Sequence, residues 1–114
     1  MSLAIAPSPT NQKLSKQMCS ALILFSADAT LMRSVESFIN LDTQTIDWDE
    51  ILKIPFESGH DAAVSWAYGI WTNKIRPGAN LLDDSFSMSA ELQVAVLQSL
   101  AKRWGSPRTA TAAG

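Results

Sequence analysis

The chain has 114 residues, 46% of them hydrophobic and 18% charged, which fits one small folded domain and excludes wholesale disorder and fibrous repeats. Nine Lys and Arg against eleven Asp and Glu leave a net charge of −2. A free-standing nucleic-acid binder usually carries a positive excess to displace counterions from phosphate, and this chain does not. One cysteine, Cys19, excludes an internal disulfide and a cysteine-based zinc site, and one histidine, His60, excludes a multi-histidine metal site.

Residues 1–10 contain two prolines and no helical period, and residues 105–114 are small and polar, so both ends read as flexible tails around a single domain at 11–104. Lys13 and Lys16 ahead of the apolar run 18–25, followed by Ala27-Asp28-Ala29, imitate a secretory signal. The prolines, the shortness of the run and Asp28 inside the cleavage motif argue instead for an amphipathic first helix. No stretch reaches the roughly 18 apolar residues of a membrane span, so no membrane partner is expected and the expected compartment is the cytoplasm.

Over residues 12–25, Leu14, Met18, Ala21, Leu22 and Phe25 recur at spacings of three and four and predict a helix with one apolar face. Asp28 is placed to cap a second helix carrying Leu31, Met32, Val35, Phe38 and Ile39 and fraying near Asn40. Whether the two run on through Ser26 as one bent rod stays open. Residues 43–46 are an extended piece too short to build a sheet.

Asp47-Trp48-Asp49-Glu50 has the spacing of a capping box in which Asp47 and Glu50 bond each other's amides. The helix it starts is confined to about 48–53, because Pro55 pushes Ile54 out of the helical region. Ser58 then caps a fourth helix that reaches about Ile75, ahead of Pro77 and Gly78. Its apolar residues, including Trp66, Ile70, Trp71 and Ile75, cover roughly 200° of the circumference, so this is the expected central helix. Gly69 costs about 1 kcal/mol relative to Ala in its middle. Close approach of another backbone would explain that cost, and a neutral surface glycine would look the same.

Ser87 or Ser89 caps the last helix, Glu91 suits its positive end, Lys102 and Arg103 suit its negative end, and Gly105 terminates it. Ala90, Val94, Val96, Leu97, Leu100, Ala101 and Trp104 are its expected inner face, and Gln93 within that face would need hydrogen-bond partners if buried. The fold class is all-α, a compact domain of four or five helices. Trp66, Trp71 and Trp104 are assigned to the core; Trp48, in a helix too short to bury much, stays open between core and surface.

Chemistry-bearing residues are few. Ser58 as a nucleophile with His60 and Asp61 would make a hydrolase, but Ser58 is explained as a cap, and neighbouring helical residues do not face each other. Cys19 would need the same His60 as its base. Six acids fall between residues 42 and 61, opposed only by Lys53. They lack the glycine turn and bidentate Glu of a calcium loop, and no glycine-rich phosphate loop occurs, so no metal and no cofactor are expected.

The leading expectation is a small helical protein–protein interaction or regulatory module without catalysis. It would act through its acidic surface at residues 42–61, with Asp42, Trp48, Asp49 and Glu57 as contact residues and a partner protein with a basic surface. The alternative is a helix-turn-helix nucleic-acid binder resting on Lys102, Arg103 and Arg108, which the acid excess disfavours. The third is the Ser58 or Cys19 hydrolase. The sequence is silent on oligomeric state.

Overall fold

In the computed structural model, which describes residues 14–105, the Ser15 hydroxyl accepts the Met18 amide at 3.0 Å and opens helix α1 (Lys16–Ser26). The tails expected at 1–10 and 105–114 lie outside the described residues, Gly105 excepted. The chain breaks at Ala27. Asp28 turns extended, takes the Leu31 amide at 3.0 Å and starts α2 (Ala29–Val35), so the first two helices are separate.

Helix α2 ends well before Asn40, in a 3-10 turn (Glu36–Phe38) that feeds strand β1 (Ile39–Asn40). Strand β2 (Thr45–Ile46) pairs antiparallel with it, Ile39 opposite Ile46 and Asn40 opposite Thr45. The extended piece therefore does find a partner, as a two-residue ladder. Gln44 closes the hairpin at φ 54, and its side-chain oxygen accepts the Ser15 amide at 2.6 Å, which ties the hairpin to the start of α1.

Asp47 accepts the Glu50 amide at 3.3 Å and opens α3 (Trp48–Ile51), one turn long. Only this half of the expected capping box forms. The Asp47 amide is already committed to the Phe38 carbonyl at 2.9 Å, and the Glu50 carboxylate turns to Lys53 at 3.2 Å.

Helix α4 (Ser58–Thr72) is capped by Glu57, not Ser58: Glu57 is the extended residue, and its carbonyl accepts the Asp61 amide at 2.8 Å. The helix stops three residues short of Ile75, because Asn73 adopts the left-handed conformation at φ 64. Asn80 then caps a single turn, α5 (Leu81–Asp84), followed by a 3-10 turn (Ser85–Ser87). Ser89, and not Ser87, caps α6 (Ala90–Arg103) by accepting the Leu92 amide at 3.2 Å, and Gly105 follows it at φ 89. The architecture is mostly helical, with six α-helices among the described residues where four or five were expected, and one minimal hairpin.

The centre of the packing is α1, not α4. It lies against α6, α4 and α2, and buries Met18, Ala21, Leu24 and Phe25 among Leu31, Val35, Ile51, Val64 and Leu92. Helix α6 meets α1 through small residues. Its buried side is Leu92, Ala95, Val96 and Ser99, and the Ser99 hydroxyl donates to the Ser20 carbonyl at 2.8 Å with both side chains fully buried. Small side chains let the two helices approach closely, and that decides which stripe of α6 turns inward. The expected inner face was mostly the wrong one: Val96 is buried and Leu100 packs partly against the core, and the rest faces sideways or outward.

Among the glycines, close packing is needed at Gly59 and not at Gly69. A Cβ on Gly59 would stand 2.7 Å from the Ser87 carbonyl oxygen, whereas one on Gly69 would meet the Lys74 carbonyl oxygen at an ordinary 3.5 Å.

Candidate interaction surface

The tryptophans separate in a way periodicity did not predict. Trp48 is 9% exposed and sits in an aromatic cluster, its ring 6.0 Å from Phe25, 5.7 Å from Tyr68 and 6.1 Å from Trp71. A one-turn helix buries it because Phe25 from α1 and Tyr68 and Trp71 from α4 enclose the ring. Its indole nitrogen is buried with no hydrogen-bond partner among the described residues. That burial removes Trp48 from the surface contacts expected for it. Trp66 and Trp71 are half-buried against the core, and the Trp66 indole donates to the Ser85 hydroxyl at 2.7 Å. Trp104, assigned to the core, is 67% exposed.

Trp104 is not alone. On α6, Ala90, Val94 and Leu97 are exposed with it, and Ala101 is half-exposed. These five residues follow spacings of four, three, four and three, which at 3.6 residues per turn form one stripe on the side opposite Leu92, Ala95, Val96 and Ser99. Val94 is 51% and Leu97 67% exposed. Ile75, Leu82 and Phe86 add exposed large apolar side chains from the segment before α6. Single exposed hydrophobics need no explanation, but a stripe at helical spacing does.

Beside the stripe runs a groove of about 270 Å³ between α4, α5 and α6, lined by Trp66, Ile70, Ile75, Leu81, Leu100 and Trp104. It is smaller than the roughly 300–1,000 Å³ of small-molecule sites and apolar enough to take a side chain. Arg103 closes one edge, held by its Nε–H to the Ile70 carbonyl at 3.2 Å. Gln93, on the expected inner face, is exposed and donates to the Ser85 carbonyl at 2.9 Å, which fixes the 3-10 turn and Phe86 alongside the first half of α6.

The acidic stretch is divided by its structural duties. Asp47 caps α3, Glu50 pairs with Lys53, and Asp61 pairs with Arg76 at 2.9 Å. Asp42, in the hairpin loop, is exposed. Asp49 and Glu57 are exposed and form no ion pair among the described residues. The three remaining acids thus lie at the surface without Trp48 among them.

His60 Nε2 lies 3.0 Å from Asp28 Oδ2. The Leu31 amide, and then His60, hold the Asp28 carboxyl below its ordinary value against the opposing effect of desolvation. Asp61, the orienter in the hydrolase reading, is turned to Arg76 instead, and no hydrogen bond among the described residues joins His60 to Ser58 or Cys19. Cys19 is half-buried, its thiol 3.9 Å from the Leu14 carbonyl. No group of three His, Cys, Asp or Glu among the described residues is placed to hold a metal ion, and no described helix is long and apolar enough to cross a membrane.

The chain matches no protein-family model, no curated protein and no solved structure.

The apolar outer stripe was missed although its signal was present. Helix α6 carries two stripes, and the one richer in large side chains was taken as the inner one. Leu82 and Phe86 passed unnoticed because the Asn80 cap that opens α5 was not recognised.

Proposed function

We propose that the chain is a protein–protein interaction module without catalysis, and that its contact surface is the apolar outer stripe of α6 with the adjoining groove. The exposure of Val94, Leu97 and Trp104 on the face turned away from the core carries this reading. Leaving such residues in water forgoes about 1.5–3 kcal/mol each of burial, which a partner recovers on docking. Trp, the residue type most enriched among interface anchors, stands at the rim of the groove.

A second reading keeps the acidic edge as the surface, for a partner with basic side chains. Asp49 and Glu57, exposed and unpaired among the described residues, favour it. The nucleic-acid alternative loses ground, since Arg103 is held against the Ile70 carbonyl.

A photo-activated benzophenone side chain placed at Leu97, or separately at Asp49, distinguishes these surfaces in the cells that make the protein. Protein adducts from position 97 are expected. Adducts from position 49 alone would move the function to the acidic edge, and none from either would end the interaction reading.

A further inference from the structure

We infer that the occupant of the α6 stripe is a second copy of the same chain, docked antiparallel about a two-fold axis at Leu97. The inference rests on the reading of that face as an interface and adds the partner's identity.

The stripe is self-complementary in size. Ala90 and Trp104 stand seven residues to either side of Leu97, and Val94 and Ala101 stand three before it and four after it. In an antiparallel pair, Leu97 meets Leu97 of the second copy, Val94 faces Ala101, and Ala90, the smallest position at one end, faces Trp104, the largest at the other. A two-fold interface must match its own patch in reverse, and this alternation of large and small does so.

The flanking charges select the same direction. Glu91, Gln98 and Lys102 lie along one edge of the stripe, all exposed. Antiparallel docking brings that edge against its own copy and sets Glu91 beside Lys102 twice over, with Gln98 near Gln98 at the centre. Parallel docking would instead set that edge against the opposite one, which carries Gln93 and Leu100, so Glu91 and Lys102 would not meet, and would put Trp104 against Trp104. Opposed helix dipoles add to the antiparallel preference.

The other edge carries the groove, and here too the operator finds a counterpart. The Gln93–Ser85 contact holds Phe86 beside the first half of α6, while the groove borders its second half at Leu100 and Trp104. Reversal brings the Phe86 end of each copy to the groove of the other, and Phe86, 85% exposed, is the most exposed large apolar side chain among the described residues. Two seven-residue repeats, about four helical turns, bury less than the roughly 800 Å² a side of a standard interface, so the Phe86 contact is needed and a dissociation constant on the order of micromolar is expected.

Sedimentation equilibrium of the purified full chain, from about 1 to 500 micromolar, tests the association. A concentration-dependent dimer is expected. Leu97→Glu, which places two acids face to face, should raise the dissociation constant at least about tenfold while its melting curve at low concentration stays that of the unaltered monomer. Glu91→Lys and Lys102→Glu should each weaken the dimer up to about fivefold, and the two together should restore it. Cysteine pairing in a Cys19→Ser background reads the direction. Leu97→Cys should cross-link to itself, Ala90→Cys should not, and Ala90→Cys mixed with Trp104→Cys should cross-link to each other. A chain monomeric throughout, or a dimer untouched by Leu97→Glu, overturns the proposal, and so does self-cross-linking at Ala90→Cys. A monomeric chain that still gives adducts with other proteins from position 97 would sink the second copy alone and leave the interaction reading standing.

Discussion

His60 Nε2 and Asp28 Oδ2 stand 3.0 Å apart, so one carboxylate both caps α2 and ties the first turn of α4 to it. The pair explains a histidine that invited a catalytic reading: its ring closes a joint between two helices.

That joint makes stability fall in acid. The Leu31 amide and His60 hold the Asp28 carboxyl below its usual value of 3.8, so the folded state binds fewer protons there than the unfolded chain does. The stabilisation is present above pH 3.8 and is lost as the pH drops through the lowered folded value. Asp28→Ala should cost about 1 kcal/mol at pH 7 through the lost cap and should flatten the acid limb of stability against pH. Denaturant melts between pH 2 and 7, read by circular dichroism, check both.

Trp48 and Trp104 should behave as opposites. Trp48→Ala opens a cavity among Phe25, Tyr68 and Trp71, and should cost about 3–5 kcal/mol. Trp104→Ala should change the stability of the monomer by no more than about 0.5 kcal/mol, because its ring contributes little to the core. Urea titrations at concentrations too low for association give both values.

Two glycines in one helix should respond with opposite signs. Gly69→Ala has room for its methyl group and should stabilise the domain by about 0.5–1 kcal/mol. Gly59→Ala drives a Cβ to 2.7 Å from the Ser87 carbonyl oxygen, so the 3-10 turn must shift and stability should drop. Thermal midpoints of the two variants, measured side by side, should straddle that of the natural chain.

Arg76 gathers three acceptors: Asp61 Oδ1 at 2.9 Å, the Ser65 hydroxyl at 3.2 Å and the Leu52 carbonyl at 3.3 Å. It fastens the turn after α4 back onto that helix and onto the end of α3. Arg76→Ala should cost about 2 kcal/mol, and Arg76→Lys should recover only part, since one ammonium cannot span the fork. Hydrogen exchange should show the residue 73–80 turn opening faster in both variants.

Local signals were legible and tertiary choices were not. Asp28, Asp47 and Ser89 cap the helices assigned to them, because a cap is decided by a side chain and an amide three residues on. Glu57 displaced Ser58 as a cap where two adjacent residues could serve, and only the path of the preceding chain decides between them. The face of α6 was misread for a deeper reason. The contact with α1 is made by Ala95, Ser99 and Ser20, and smallness that permits close approach carries no hydrophobic signal in a periodicity count. Of the expected contact residues, Asp42, Asp49 and Glu57 lie at the surface, while Trp48 was drawn inward by partners distant in sequence.

The Ser20–Ser99 hydrogen bond spans 79 positions, joining the first described helix to the last. A chain emerging from the ribosome therefore makes α1 first and must wait for α6 before that helix is covered. Until α6 is made, Met18, Leu24 and Phe25 lack one of the walls that enclose them. Closing so long a loop delays the decisive contact, slows folding relative to helical bundles of local topology, and leaves those apolar side chains open to aggregation until it closes. Completion of the core is thus set by the arrival of α6.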